Sequence, residues 1–402
     1  MCVIRALPYE RLPTVDAMRL VVQVKLLPTP EQAQALEATL RACNRAADYV
    51  SRIAFESGVW DRNGLQKVVY TGVKASFGLS AQPTVRVVRK VVDAYATLAA
   101  QLKAGLLGGK GSKRYRKATN SPITFRPEAA QPFDDRCLSW QTDARTVSIW
   151  TVDGRLRGMR YTGEPGRLKL LSEHRKGESD LIQQRGKWYL LATCELPDPE
   201  VTEPIDWIGV DRGIVNLATT SDNVNYQGRR LSRYRRWQAR KRAELERKNT
   251  RSSTRRLARR ARREQRHATH VNHKISKEIV SVAQRTGRGV AVEQLDGIRD
   301  RVRLRRDQRD ALSSWPFHQL GQHLAYKARR AGVAFLEVDA SYTSQRCPRC
   351  GHTEKANRPS RDHFHCRRCG LSGPADVVAG VNVRNRARSA WVFITAPVPA
   401  LT

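Results

Sequence analysis

Near the start of the chain, Leu20, Val22, Val24 and Leu26 alternate with Val21, Gln23 and Lys25, a period of two that predicts a strand. The period then lengthens. Thr29-Pro30-Glu31-Gln32 opens a helix: Thr29 can cap it, Pro30 suits the first helical position and Gln32 completes a capping box. Leu36, Leu40, Cys43, Ala47 and Val50 carry the apolar face onward. A second helical stretch, about Thr84 to Leu107, bears Val88, Val91, Val92, Tyr95, Leu98 and Leu102 and stops at Gly108-Gly109. Residues 110–117, KGSKRYRK, read as a basic loop around Tyr115. From about 118 to 200 come short β-like runs (SPITFRP, CLSWQ, TVSIWTV, LKLLSE, DLIQQRGKWYLLATCEL) separated by Gly and Asp turns. They predict a small all-β domain that the strand at 18–27 joins, with 29–107 as a helical insertion. Residues 1–17 read as an irregular lead-in.

After Pro204 the pattern becomes mixed α/β. Asp206 to Asp211 reads as a strand and Val215 to Thr220 as its hairpin partner. Residues 229–286 hold no Gly and no Pro, and predict two helices with a break at Asn249 to Thr254. Gly289 to Glu293 is another strand, Ser314 to Ala331 a helix and Val333 to Val338 a strand. A last helix runs from about Ala375 to Arg386, and the residues from Trp391 read as a loose tail.

Composition adds charge to this picture. The 402 residues carry 73 Lys+Arg against 38 Asp+Glu, a net +35, and apolar residues make up 40 %. Self-repulsion of that size calls for a polyanion, and nucleic acid is the obvious one. Between Arg229 and Arg266, 18 basic residues face three acids, Glu244, Glu246 and Glu264. Leu231, Tyr234, Trp237, Leu245 and Leu257 form only a sparse apolar stripe there, so the remaining side chains face solvent or phosphate. Arg229, Arg230, Arg233, Arg236, Arg240, Arg255, Arg256, Arg259, Arg260 and Arg263 are candidate backbone contacts. Lys113, Arg114 and Tyr115 in the 110–117 segment are further candidates, although a bland loop explains that segment equally well. His270 and His273 read as packing residues. No apolar run approaches the roughly 18 residues a membrane helix needs, and the start lacks an apolar signal core. A soluble cytoplasmic protein with no membrane partner is expected.

Cysteine spacing is more specific. Cys347-Pro348-Arg349-Cys350 and Cys366-Arg367-Arg368-Cys369 form two CxxC pairs, fifteen residues apart, each followed by a glycine, Gly351 and Gly370. Two such turns put four thiolates around one point, which suits a single structural, tetrahedral Zn²⁺. His352, His363 and His365 lie nearby but are not needed as ligands.

Three acids stand where an element ends or begins. Asp211 ends a strand, Glu293 ends Val290-Ala291-Val292, and Asp376 follows Pro374-Ala375 at a helix start. Singly, each reads as a cap or a surface acid. Their order is more telling. A strand with an Asp, an antiparallel partner, helices, a strand with a Glu and a helix with an Asp is the layout of an RNase H-like fold. Three crowded carboxylates repel and call for divalent cations. Two Mg²⁺ could serve phosphodiester hydrolysis there.

Gly209-Val210-Asp211-Arg212-Gly213-Ile214-Val215-Asn216-Leu217-Ala218-Thr219 resembles the first RuvC motif of the transposon-encoded TnpB nucleases. Val292-Glu293-Gln294-Leu295 resembles the second and Asp376-Val377-Val378-Ala379-Gly380-Val381-Asn382-Val383 the third. Ser341-Tyr342-Thr343-Ser344-Gln345-Arg346-Cys347 leads into the zinc ribbon as in that family, and Trp315-Pro316-Phe317 and Leu324 to Ala328 match its intervening helix. The resemblance covers about 204–386 and extends to compact type V CRISPR effectors, which share the core. Three positions depart from the family pattern. Arg212 stands where an apolar residue is usual, Val378 where Asn is usual, and Gly380 where Ala is usual.

The resemblance implies a multi-domain α/β protein. Its RNase H-like (RuvC) nuclease domain would carry an inserted zinc ribbon. Its N-terminal β-barrel-like (wedge) domain would carry a helical recognition insertion. The implied boundaries are 1–28 for the lead-in and first wedge strand, 29–117 for the recognition helices and 118–203 for the rest of the wedge. The RuvC-like domain would follow at 204–340, the zinc ribbon at 341–373 and the last RuvC part and tail at 374–402. The implied function is RNA-guided cleavage of double-stranded DNA beside a short target-adjacent motif. A guide RNA would be the partner, and an RNA–DNA heteroduplex would be read by base pairing. Asp211, Glu293 and Asp376 would be catalytic and would hold Mg²⁺. Three alternatives are a compact type V effector, a guided repressor with weak or no cleavage, and an unguided nuclease or transposase.

Overall fold

The structure, a computed structural model, describes residues 18–260, 263–295 and 317–395. They fall into two compact units, Ala17–Pro197 and Asp198–Thr402. The expected lead-in at 1–17 and the residues Trp315 and Pro316 lie outside the described residues.

In the first unit, β1 (Met18–Leu26) leads into α1 (Pro30–Ser57), α2 (Arg62–Phe77) and α3 (Ala81–Lys103). The α1 start forms the capping box its sequence encodes. Gln32 N donates to Thr29 Oγ1 at 3.3 Å and Thr29 N to Gln32 Oε1 at 3.1 Å. The three helices bury Cys43, Ala47 and Val50 against Val69, Val73, Val87, Val88 and Val91. Then come α4 (Lys113–Thr119), β2 (Gln131–Phe133), β3 (Leu138–Gln141), β4 (Thr146–Thr151) and β5 (Gly154–Thr162). They are followed by α5 (Pro165–His174), β6 (Arg175–Gln184) and β7 (Lys187–Leu196).

The seven strands form one sheet in the order β2-β6-β7-β1-β5-β4-β3. Its two outer strands are consecutive in the chain, joined only by residues 134–137. A flat sheet would set them about 29 Å apart at ~4.8 Å per strand. The link spans no more than about 17 Å. The sheet therefore curls back on itself, as a barrel-like domain requires. Val22, Val24, Leu26, Phe133, Val147, Ile149, Met159 and Leu190 fill its interior.

Three local expectations are corrected here. The 110–117 segment is not all loop, because Ser112 Oγ accepts from Tyr115 N at 3.1 Å and starts α4. LKLLSE is helical, within α5. Glu164 caps that helix by accepting from Gly166 N at 3.0 Å and Arg167 N at 2.9 Å, with Pro165 in its first turn. An acid-then-proline start outweighs the three leucines of a short β-like run. SPITFRP forms no strand.

The second unit contains β8 (Asp206–Asp211), β9 (Asn216–Thr220), β10 (Asn225–Gln227), α6 (Arg229–Lys248), α7 (Arg251–Arg260) and α8 (Arg263–Arg285). There follow β11 (Arg288–Gln294), α9 (Phe317–Arg330), β12 (Phe335–Asp339), β13 (His363–His365), β14 (Ser372–Pro374) and α10 (Ala375–Thr395). The break expected between the basic helices at Asn249 to Thr254 is present, after α6. Asn249 in the left-handed conformation ends α6, and Thr250 restarts the chain by exchanging hydrogen bonds with Ser253. Of the tail expected from Trp391, the described residues up to Thr395 belong to α10, where the Trp391 ring meets Trp207 edge-on at 5.4 Å.

The five-stranded sheet runs β10-β9-β8-β11-β12, with β8, β11 and β12 parallel and β9 antiparallel to β8. One face carries Ile208, Val210, Val290 and Val292 onto α8 and α9. The other carries Trp207 and Ala291 under Val383 and Ala387 of α10. That second contact is close. A Cβ on Gly209 would stand 2.0 Å from Gly380 O, so strand and helix backbones meet where neither has a side chain.

Candidate active site and metal centre

Strand register decides where the first two acids go. Gly209 pairs with Ala291 and Val210 with Val292 across the parallel β8–β11 ladder. Asp211 and Glu293 follow at the same ends of neighbouring strands. Side chains alternate along a strand, so both share the face of Trp207, Gly209 and Ala291. That is the face α10 covers, and Asp376 lies in the first turn of α10. Three acids distant in sequence are thus brought to one corner of the sheet.

The corner is electrostatically strained. Burial pushes the Asp211 carboxyl well above the ordinary range, and the neighbouring Glu293 and Asp376 add to it. Burial also raises Glu293, against the opposing effects of the Thr343 hydrogen bond and the Arg212, Arg386 and Arg358 charges. Glu293 is only 6 % exposed. Its Oε1 accepts from the Thr343 hydroxyl. Its backbone carbonyl accepts from the Arg212 guanidinium. Asp376 is held on both oxygens: Asn216 Nδ2 donates to Oδ2 at 2.8 Å and Arg358 to Oδ1 at 3.0 Å. Asn382 of α10 fixes the connection that carries Thr343 by donating to the carbonyls of Thr343 at 2.8 Å and Arg346 at 2.7 Å. Asn216, Thr343 and Asn382 fall inside the motifs quoted above, but nothing in the sequence gives them these roles. Arg358 lies in none of those motifs, between the cysteine pairs, and only the fold brings it to Asp376.

The four cysteines form a second centre. Their sulfurs all lie within 4.8 Å of one another. Cys347 and Cys369 are 3.5 Å apart and Cys350 and Cys366 3.6 Å, too far for a disulfide. Four thiolates about 2.3 Å from a shared Zn²⁺ would stand about 3.8 Å apart, so the donor set fits that ion. The two turns are built alike. Gly351 N donates to Cys347 O and Gly370 N to Cys366 O, each at 3.0 Å, and both glycines have positive φ. Buried Asn357 ties the turns together: its amide donates to Gln345 O at 2.9 Å and its oxygen accepts from Arg367 N at 2.9 Å. Burial raises the Cys366 thiol, but hydrogen bonds from Cys369 and Arg368 and from the neighbouring sulfurs more than offset this and bring it to about 6. His352 pairs with Glu354 and His363 with Ser372, outside the cluster.

The basic candidates separate. Arg229, Arg230, Arg233, Arg236 and Arg240 on α6 are exposed, as are Arg255, Arg256, Arg259 and Arg263 on α7 and α8. Arg260 differs. It donates to Gln238 Oε1 at 2.7 Å and lies 4.7 Å from the Trp237 ring, bracing α7 on α6. Arg256, Arg259, Arg260 and Arg263 line a cavity of about 290 Å³ with Lys241 and Glu244. Lys113 and Arg114 are exposed and Tyr115 half-buried on α4, in the other unit. Among the described residues no helix is long and apolar enough to cross a membrane.

Residues 192–297 match the family model described as probable transposase, and residues 317–383 the Cas12f1-like TNB domain. The chain is 31% identical over 224 residues to the putative RNA-guided DNA endonuclease InsQ of Escherichia coli K12, covering 50% of this chain and 54% of that one. It is 30% identical over 234 residues to the CRISPR-associated endodeoxyribonuclease Cas12f1 of Sulfoacidibacillus thermotolerans, covering 53% and 54%. The chain thus spans about half the length of these curated relatives. In fold it is similar to Cas12f1 in a Cas12f1-sgRNA-target DNA complex, with a TM-score of 0.54 and 13% identity over 88% of this chain and 83% of that one. It is likewise similar to CasPhi-2 bound to crRNA, with a TM-score of 0.52 and 10% identity over 95% and 99%. The resemblance to TnpB-type proteins and compact type V effectors holds.

Proposed function

We propose that this chain is an RNA-guided DNA endonuclease of the TnpB type, and that its single hydrolytic site is the corner formed by Asp211, Glu293 and Asp376. The observation that carries the proposal is the convergence of these acids from two neighbouring parallel strands and one helix start. Burial raises Asp211 and Glu293, and repulsion from its two neighbours adds to the rise of Asp211. The sheet order and the packing of α10 on β8 support an RNase H-like (RuvC) reading of the second unit. The relatives' names, which include a putative RNA-guided DNA endonuclease, support the activity.

Hard carboxylate oxygens suit Mg²⁺. Two bound Mg²⁺ would supply an activated water and neutralise the leaving oxygen in phosphodiester hydrolysis. The chain's residues prepare that site. Thr343 orients the Glu293 carboxylate, Arg212 holds the end of β11, and Asn216 fixes one oxygen of Asp376. Arg358 occupies the other oxygen and must yield it, or share it, when a cation arrives. The four cysteines would hold one structural Zn²⁺ that keeps Arg358 beside Asp376. The exposed arginines of α6, α7 and α8 would follow phosphate backbone without reading sequence, which leaves sequence to base pairing with the guide.

The test is cleavage of target DNA by protein loaded with its copurifying RNA. Asp211→Ala should retain the RNA and lose Mg²⁺-dependent cleavage to background. If it cuts as fast as wild type, the site is elsewhere. If RNA-loaded wild type binds target DNA but never nicks it, the guided-repressor reading replaces this one. If RNA-free protein cuts at full rate, an unguided nuclease does. Sequencing the copurified RNA together with its locus of origin separates a transposon protein from a type V effector.

A further inference from the structure

Arg212 is the residue the proposed mechanism uses least and the fold accommodates most deliberately. It follows Asp211 directly, stands where the resembling family is apolar, and is only 7 % exposed. Its guanidinium donates to the backbone carbonyl of Glu293, the residue that also carries the second acid. Its Nη1 end reaches α9 at Gly321, where an added Cβ would stand 2.3 Å from Nη1. A helix interior normally prefers alanine to glycine, so Gly321 is better explained by the space the guanidinium needs. The Arg212 charge opposes the upward shift of both Asp211 and Glu293.

We propose that Arg212 is a positioning residue that acts as a fixed, resident counter-charge of the acid corner, so that the corner is assembled without divalent cations and binds them more weakly than its three carboxylates alone would. The inference rests on reading that corner as a cation site. Arg358 reaches Asp376 from between the cysteine pairs, 25% exposed, with its Nε and Nη2 also donating to Arg361 O. Arg212 is enclosed by β8, β11 and α9 and stays in place when a cation enters. A positive charge held beside a divalent ion opposes it by Coulomb repulsion, strongly in a partly desolvated site. In return, the tie to the Glu293 carbonyl keeps the end of β11 beside the end of β8.

The experiment is Mn²⁺ binding to zinc-replete, nucleic-acid-free full-length chain, followed by the paramagnetic signal of free Mn²⁺. Arg212→Gln, which keeps a donor but removes the charge, should bind Mn²⁺ about tenfold more tightly. Arg212→Lys, which keeps the charge, should bind as wild type does. Gly321→Ala leaves Arg212 in the sequence but displaces it from its seat, and should tighten binding as Arg212→Gln does. Thermal unfolding would register a merely structural role, whereas tighter ion binding would not follow from one. If Arg212→Gln and Gly321→Ala bind Mn²⁺ as wild type does, or more weakly, the counter-charge role is overturned. If Asp211→Asn leaves wild-type Mn²⁺ binding unchanged, the failure lies instead with the cation-site reading of the acid corner.

Discussion

The second unit contains two clusters of metal-ligating chemistry, and they are assembled in opposite ways. The four sulfurs gather within 4.8 Å of one another. The three acids converge on one corner, yet among the described residues their oxygens do not form so tight a group. Each cysteine pair is closed by its own turn, and Asn357 joins the turns, so the ribbon's ligands are set by local geometry. The acids come from β8, β11 and α10, and their positions depend on register and on packing between backbones. Like charges also push them apart, and Asn216, Arg358, Thr343 and Arg212 hold them meanwhile. A soft, local site can be preassembled, while a corner of three carboxylates is held by protein donors and cations and, on the proposed reading, would close only around metal.

The largest expected effect falls on the local site. Cys347→Ser, or a strong zinc chelator, should remove bound zinc and unfold the ribbon. Structural zinc sites contribute on the order of 10 kcal/mol. Zinc content and limited proteolysis within 341–373 would check this. Retention of full zinc by Cys347→Ser would remove the basis of the contrast.

Next comes the packing on which only the acid corner depends. Gly209→Ala forces a Cβ to 2.0 Å from Gly380 O. It should cost about 3 kcal/mol in urea unfolding by overpacking and separate Asp376 from Asp211, while leaving zinc bound. Gly380→Ala should be nearly neutral. Its Cβ would stand 3.0 Å from Ser221 N, and the gain in helix propensity of about 1 kcal/mol offsets that crowding.

A smaller effect is expected with pH. Asp211 and Glu293 are both raised above their ordinary values of 3.8 and 4.5. Between those values and the raised ones, the folded protein binds more protons than the unfolded chain, so cation-free stability is full at low pH and falls as pH rises through the window. Asp211→Asn should flatten the curve, and saturating Mg²⁺ should abolish the fall. A stability that rises with pH across the window in cation-free protein would contradict the strained-corner description.

The smallest effect is expected for Arg358→Ala. Its ion pair with Asp376 is partly exposed and contributes less than about 1 kcal/mol to stability. Calorimetric titration should nevertheless show cation binding tightened a few-fold, because a competitor is gone. Unchanged binding would mean that Arg358 does not compete for Asp376.

The sequence by itself determined what is local or periodic. Thr29, Pro30 and Gln32 specify the start of α1, because a cap is made within one turn. The period-two run specifies β1, and short β-like runs between turn residues specify β4 and β7. The CxxC turns with Gly351 and Gly370 specify the cysteine centre, because ligand spacing and turn geometry lie within a few residues. The three acids were legible only as an order along the chain and through a family resemblance, since each alone is an ordinary cap or surface carboxylate. Short-range signals also misled where two competed, as in LKLLSE, where the Glu164-Pro165 start prevailed over the β-like run. Tertiary structure decided the rest. The β8–β11 register placed Asp211 beside Glu293. The Gly209–Gly380 contact let α10 descend and bring Asp376 to the same corner. Arg358 and Thr343 reached the acids from distant segments, Arg212 reached across from beside Asp211 to the Glu293 carbonyl, and Gly321 made room for it. Those are contacts between backbones and side chains far apart in sequence, and no period or spacing along the chain encodes which of them will meet.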